Sequence, residues 1–386
     1  MFSARTNWHL QPNNLAQLLA EKKNGGNPIL DLTISNPLQA AFAYPVEAIR
    51  NVLSKPASIS YSPDPIGLLS AREAVAQYYL AKHIVVDPLQ IVLTASTSEA
   101  YTFLFKLLCN AGDSVLVPAP SYPLFEHLAQ LDHVETKAYQ LRYDGEWHID
   151  FSSIRNALTS STKAIIVVSP HNPTGMFLKA EELAMLNSIA NNAGIALIID
   201  EVFADYGFDD DARRAESTAA NNSSLTFTLN GISKSCGLPQ LKLGWIVASG
   251  EGASEALQRL EMIADTYLSV NTPVQVALAE LLELSATVRA QIQSRTRQHY
   301  HFLKQQIDTD SPLSILNAEG GWSAVVRIPN TKSEEEWAIE LLRESGVYVH
   351  PGYFFEFSTN GYLIVSLLTA PEIFRRGVGE IVKLIR

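Results

Sequence analysis

Lys234 stands in the turn Gly231-Ile232-Ser233-Lys234-Ser235-Cys236-Gly237, directly after the apolar run 226–229. Asp200 ends a second apolar run, 195–199, and opens Asp200-Glu201-Val202-Phe203. Asn172 sits in Ser169-Pro170-His171-Asn172-Pro173-Thr174-Gly175, after the run 164–168. A lysine beside an apolar wall can hold a lowered pKa and form a Schiff base with a carbonyl. A carboxylate at the end of a buried strand costs free energy unless a cation or donor meets it. Together they suit a pyridine aldehyde: Asp200 for a ring nitrogen, Lys234 for the aldehyde, which is the pairing pyridoxal phosphate requires. Its phosphate needs a cradle, and Thr94-Ala95-Ser96-Thr97-Ser98-Glu99 follows the short run 91–93 and opens a helix. Helix N-termini supply free N–H donors and a favourable dipole. Ser96, Thr97 and Ser98 add hydroxyls, although serine at a helix start is also the ordinary N-cap. The Ser-x-x-Lys spacing of Ser160–Lys163 precedes a strand and reads as no nucleophile.

The elements must place these groups together. Strands are expected at 91–93, 114–117, 164–168, 195–199, 226–229 and 243–248, with helices at 67–82, 98–109, 124–131 and 181–192. Continuous β-branched runs alternating with helices mean an α/β fold with a mostly parallel sheet covered on both faces. Ligands in such sheets lie beyond the carboxyl ends of the strands, where the polar motifs fall. After about residue 272 the pattern changes to one long helix, 273–307, then short strands at 323–328 and 362–367 alternating with helices 334–344 and 373–385. That is a smaller α+β domain.

The motifs bring the chain close to a known family. It resembles the class I/II aminotransferases of the aspartate/alanine type, with the fold type I architecture of pyridoxal-phosphate enzymes. The resemblance rests on Asn172-Pro173-Thr174-Gly175, the Asp200 motif, Ser233-Lys234 with Gly244-Trp245, Tyr61 with Gly67 and Arg72, and Pro120-Ser121-Tyr122-Pro123, in that family's order. It implies a large cofactor domain with a seven-stranded sheet (45–285) and a small domain built from 286–386, with 1–44 as an arm and part of the small domain. It implies that Lys234 carries pyridoxal 5′-phosphate and moves the proton at the substrate α-carbon. Asp200 would keep the pyridine nitrogen protonated, Asn172 would bond the ring 3′-oxygen and Tyr122 would stack on the ring. Ser96, Thr97, Ser98, Ser233 and Lys242 would surround the phosphate. Tyr61 would complete the neighbouring site of a homodimer, and Asn36 would lie beside the substrate. The implied reaction moves an amino group between an amine donor and a 2-oxo acid. The scaffold also hosts lyases and decarboxylases, and a degenerate cofactor-binding protein is a further reading.

Three departures from that pattern stand out. Phe203 replaces the usual tyrosine, so the cofactor's 3′-oxygen would lose one donor and the pKa of the Lys234-bound cofactor would rise. Lys242 replaces the phosphate arginine, keeping charge without the bidentate fork; Gly231 stands where a serine is often found. In 362–367 the arginine that clamps a substrate α-carboxylate should fall at Leu363 or Ile364, and both are apolar. A buried carboxylate without its partner costs about 3–5 kcal/mol. Either Arg5 on the N-terminal arm, or secondarily Arg327, substitutes, or the substrate has no carboxylate there.

Composition is consistent with this class. The 386 residues carry 29 basic and 40 acidic side chains, a net charge of −11. No basic run suits a nucleic-acid backbone or an anionic membrane. Residues 1–7 contain no apolar leader and no stretch reaches membrane-spanning length, so a cytoplasmic protein is expected. Cys109 and Cys236 have no metal-like spacing. His171 and Cys236 read as packing residues.

Overall fold

The computed structural model describes residues 2–8, 11–307 and 311–385. Its centre is an eight-stranded mixed sheet. Reading across it, the strands are Ile91–Thr94, Gly244–Ser249, Thr226–Gly231, Ala196–Asp200, Thr162–Val168, Ser114–Ala119, Glu135–Tyr143 and Trp147–Ile149. The four neighbours from Thr226–Gly231 to Ser114–Ala119 pair in parallel; Gly244–Ser249 runs antiparallel to both of its neighbours. Every residue of Ala196–Asp200 and of Thr226–Gly231 is buried. Apolar runs of this kind can only be covered on both faces, and helices do the covering.

The resemblance implies seven strands and the apolar runs located six; the sheet has eight. Glu135–Tyr143 and Trp147–Ile149 were not anticipated, because they lie at the sheet margin. Glu135–Tyr143 alternates charged exposed residues with buried Tyr139 and Leu141 and has no continuous apolar run. The long helix also divides, into Thr272–Leu284 and Ala286–Gln306. Between them the Leu281 carbonyl accepts both the Ser285 hydroxyl (2.6 Å) and the Ser285 N–H (3.0 Å).

A four-stranded antiparallel sheet, in the order Ser314–Ile315, Ser323–Arg327, Tyr362–Ser366, His350–Pro351, forms a second layer. Leu30–Asp31 from the N-terminal region pairs in parallel with Val347–Tyr348. One apolar cluster joins Leu15, Leu30 and Leu32 to Val326, Leu363, Val365 and Phe374. The two chain ends thus share a core distinct from that under the large sheet.

The two parts meet at the Asn172 loop. Gly175 has φ +73°, and a Cβ there would lie 2.6 Å from the Gly320 carbonyl oxygen and 2.7 Å from the Ala318 Cβ. Its carbonyl accepts from the Glu319 N–H (3.0 Å), and the Glu319 carboxylate meets Lys179 and Arg214. Gly175→Ala combines a left-handed backbone penalty of about 1–2 kcal/mol with an overpacking cost of about 1–3 kcal/mol. Urea titration should show the variant about 2–5 kcal/mol less stable; a loss below 1 kcal/mol would show the contact to be slack.

Candidate active site

The strand ends open into a cavity of about 440 Å³. Asp200, Lys234, Asn172, Ser96, Thr97, Ser98, Ser233, Lys242, Tyr122 and Phe203 all line it. Residues separated by up to 146 positions are thereby brought to one surface, because parallel strands present their carboxyl ends on the same side.

Asp200 is buried at the end of its strand. Burial raises its pKa to about 6, against two bonds that favour the carboxylate. The Val202 N–H donates to Oδ1 (3.1 Å) and the Tyr101 hydroxyl to Oδ2 (3.0 Å). Tyr101 also lines the cavity and is not among the residues singled out from sequence. Its signal was its spacing, four residues beyond Thr97 on one helix face. It ties the Thr97–Leu108 helix to Asp200.

Lys234 follows its strand in the short helix Ile232–Ser235. The Ser235 hydroxyl donates to the Gly231 carbonyl (2.9 Å) and the Tyr206 hydroxyl to the Lys234 carbonyl (2.5 Å), which fixes the turn. Nζ sits 4.9 Å from the Trp322 ring centre and 5.7 Å from that of Phe203. Desolvation lowers its pKa to about 8, with Asp200 opposing the shift. A carboxyl pushed up and an amine pushed down share one dry space, which marks a site for chemistry.

The Thr97–Leu108 helix starts at the cavity wall. The Ser96 hydroxyl accepts from the Glu99 N–H (3.2 Å), so Ser96 is an N-cap as well as a lining residue. The N–H groups of Thr97 and Ser98 have no acceptor within the helix, as the first turn requires. Gly244 permits the approach: a Cβ there would be 3.1 Å from the Ser96 carbonyl carbon and from the Thr97 nitrogen. Lys242 lies exposed at φ 52° beside this cradle, with no side-chain partner among the described residues. Asn172 accepts from the Ser323 hydroxyl through Oδ1 (3.3 Å), leaving its amide N–H groups as donors. The residues present fit a phosphate-bearing pyridine aldehyde: a carboxyl for a ring nitrogen, an amine for an aldehyde, an open helix N-terminus for a phosphate.

Other expected residues are placed elsewhere. Asn36 accepts from the Leu38 N–H (3.1 Å) and caps a turn, while its neighbours Thr33 and Ser35 line the cavity. Arg5 donates to the Leu131 carbonyl (3.1 Å) on the surface, since Trp8 stacks on His127 and bonds Gln130 and so holds the arm along the Leu124–Leu131 helix. It is not among the residues lining the cavity. Arg327 is exposed among Tyr143 and Tyr362, also outside. Tyr61 is 72% exposed and lines a separate cleft with Asp64 and Gln275. His171 is buried, its Nδ1 3.0 Å from the Thr174 hydroxyl, and burial lowers its pKa to about 3, so it stays neutral and braces the loop. Cys236 is buried and both cysteines are free. The cavity also takes Trp322, Ser323, His350, Phe355, Ile364 and Ser366 from the small domain, residues carrying no motif. Among the described residues there is no metal-binding cluster of three or more His, Cys, Asp or Glu, and no helix long and apolar enough to cross a membrane.

An open α/β sheet with a desolvated lysine, a buried carboxyl and an anion cradle at its strand ends defines an enzyme of amine–carbonyl chemistry. Comparison with known proteins makes this specific. The chain belongs to the family described as aminotransferase class I and II, whose model matches residues 27–375. It is 30% identical over 352 residues to the glutamate-pyruvate aminotransferase AlaA of Haemophilus influenzae, covering 89% of this chain and 87% of that protein. To the tyrosine aminotransferase of Mus musculus it is 24% identical over 404 residues, covering 96% and 86%. Its fold matches an alanine aminotransferase from Pyrococcus furiosus with TM-score 0.88 at 22% identity, covering 100% and 99% of the two chains. It matches an aminotransferase from Escherichia coli with TM-score 0.87 at 24% identity, covering 100% and 98%. The fold is that of these enzymes, and the chain is an aminotransferase.

Tyr101→Phe tests the Asp200 anchor. The ring keeps its packing against Phe105 and Phe125. A hydrogen bond to a charged group is worth about 1.5–3 kcal/mol, so equilibrium dialysis should show cofactor affinity down about 10- to 100-fold. An unchanged affinity would leave Tyr101 a packing residue only.

Proposed function

We propose that this aminotransferase uses pyridoxal 5′-phosphate held by Lys234, and exchanges an amino group between an amine donor and a 2-oxo acid. The observation that carries the reading is the pairing of a buried Asp200, its pKa raised, with Lys234, its pKa lowered, in one cavity beside an open helix N-terminus. When bound, the cofactor supplies an electron sink for the substrate carbanion. Asp200 holds a proton on the ring nitrogen side, and its Tyr101 and Val202 bonds keep it oriented. Lys234 Nζ, once freed, takes and returns the proton at the substrate α-carbon. Thr97, Ser98, Ser233 and Lys242 bind the phosphate; Asn172 donates to the 3′-oxygen; Tyr122 covers the ring. The chain acts as a homodimer in the cytoplasm, with Tyr61 serving the neighbouring subunit. Its exposure on a shallow cleft supports that role.

The purified protein with added cofactor should show a visible absorbance band, lost with an amino donor and restored with a 2-oxo acid. Release of ammonia instead would indicate a lyase. Lys234→Ala should abolish the exchange. A neutral amine attacks an aldehyde, and Lys234 loses its proton near pH 8 rather than 10.5. The rate of cofactor capture by apoprotein should therefore climb between about pH 7 and 9 and level off; a rise continuing past pH 10 would contradict the lowered pKa.

Phe203 contributes a ring, T-shaped on Trp322 at 5.2 Å, and no hydroxyl. Phe203→Tyr adds a donor toward the 3′-oxygen. The pH-dependent transition of the holoenzyme's visible band should move down by about 1–2 pH units, from the strength of one charge-assisted bond. No shift would place that hydroxyl out of reach.

A further inference from the structure

Glu334 is a buried carboxylate that no step described above uses. It opens the small-domain helix Glu334–Glu340, is 2% exposed and is not among the residues lining the active-site cavity. Its partners are main-chain donors. The Tyr362 N–H donates to Oε1 and the Tyr353 N–H to Oε2, each at 2.8 Å. The N–H groups of Gly352 and Gly361 turn to the same carboxylate. A Cβ on Gly352 would lie 2.8 Å from Glu334 Oε1, so glycine there leaves room for it. The donors fall in two pairs, at 352–353 and 361–362. These are the two ends of the connection between the strands His350–Pro351 and Tyr362–Ser366. Those strands share the register pairs His350 with Ile364 and Pro351 with Leu363. Beyond Pro351 the carboxylate accepts the main-chain donors that a longer ladder would have satisfied.

The connection that Glu334 closes carries Phe355. Phe355 is buried and lines the cavity, its ring centre 6.4 Å from that of Tyr122. Its carbonyl accepts the Ser121 N–H at 2.7 Å. Tyr122 follows Ser121 directly and is half-exposed. The Ser121 bond therefore ties the Tyr122 segment of the large domain to Phe355, and Glu334 ties the Phe355 connection to a helix. Bonds from N–H groups to a charged acceptor are about twice as strong as neutral ones. A carboxylate offers about four acceptor sites; the amide of a glutamine offers about two and turns N–H groups toward the remaining donors.

We propose that Glu334 is a positioning residue for the active site. By closing the neck of the 352–361 connection it sets where Phe355 stands. Through the Phe355 carbonyl and the Ser121 N–H it sets how Tyr122 lies along the cavity. It touches no reacting atom, and Lys234 and Asp200 keep their own supports, so its influence falls on substrate binding. This rests on the aminotransferase reading of the site and on Tyr122 as the cover of the cofactor ring.

The test compares wild-type, Glu334→Gln, Phe355→Ala and doubly substituted holoenzymes. Each is mixed with L-alanine, L-glutamate or L-phenylalanine. Decay of the visible band gives kcat and KM for the donor that the wild type accepts best. Glu334→Gln should raise KM about tenfold and leave kcat within about threefold, the pattern of lost uniform binding. In the Phe355→Ala background the same substitution should raise KM by less than about threefold, because effects that act through one residue do not add. A rise in KM below about threefold in the single variant, or the same rise in both backgrounds, overturns the proposal. A glutamate that served stability alone would lower Tm in both backgrounds and leave KM where it was. Should Glu334→Gln fail to fold, Glu334→Asp keeps the charge on a shorter arm and is judged by the same two criteria. If no amino acid discharges the band of the wild-type holoenzyme, the aminotransferase reading itself fails. If the wild type is discharged and KM in the variants stays unmoved, only the present inference fails.

Discussion

The structure depends on the burial of one carboxyl. Asp200 ends a strand whose every residue is buried, and it makes no salt bridge among the described residues. Its two protein donors, the Tyr101 hydroxyl and the Val202 N–H, come from a helix and from the turn after the strand. Those bonds orient the carboxyl without neutralising it, and its pKa stays raised. Such a group is an unsatisfied demand for a cationic ring. Lys234, desolvated in the same cavity, is the complementary demand for a carbonyl. Either group alone would read as strain; together they fit the cofactor proposed above.

Rigidity of the surrounding elements makes that arrangement tolerable. Ser235 and Tyr206 hold the Lys234 turn from its two sides. Gly244 lets the cradle helix approach the strand that follows the lysine. Gly175 lets the Asn172 loop touch the backbone of the small domain. One wall of the cavity is therefore built by the large sheet and braced by close backbone contacts. The opposite wall is built by the small domain, whose core draws on both chain ends.

The post-strand motifs were legible because each follows an uninterrupted apolar run, and such runs end where open sheets bind ligands. Asp200, Lys234 and Asn172 needed only that rule and their side-chain chemistry. The strands Glu135–Tyr143 and Trp147–Ile149 were not legible, since a marginal strand needs apolar residues on one face only and gives a weak period. Ser285 divides a helix whose apolar spacing carries straight through it. Asn36 and Arg5 are held by other contacts in this structure. Their types suited a ligand, but a capping bond satisfies one and the Trp8 anchor holds the other away.

By itself the sequence determined the α/β fold class and displayed the residue types that suit the proposed chemistry, because these follow from local runs and side-chain types. It also showed that Leu363 and Ile364 are both apolar, without saying which faces the ligand. Tertiary structure decided that. The pleat turns Leu363 into the core and Ile364 into the cavity, opposite His350. Ser366 joined the site for the same reason: strands distant in sequence pair side by side, and only the register of that pairing assigns their faces. Trp322 and Phe355 come from the segments that lead into and connect those strands.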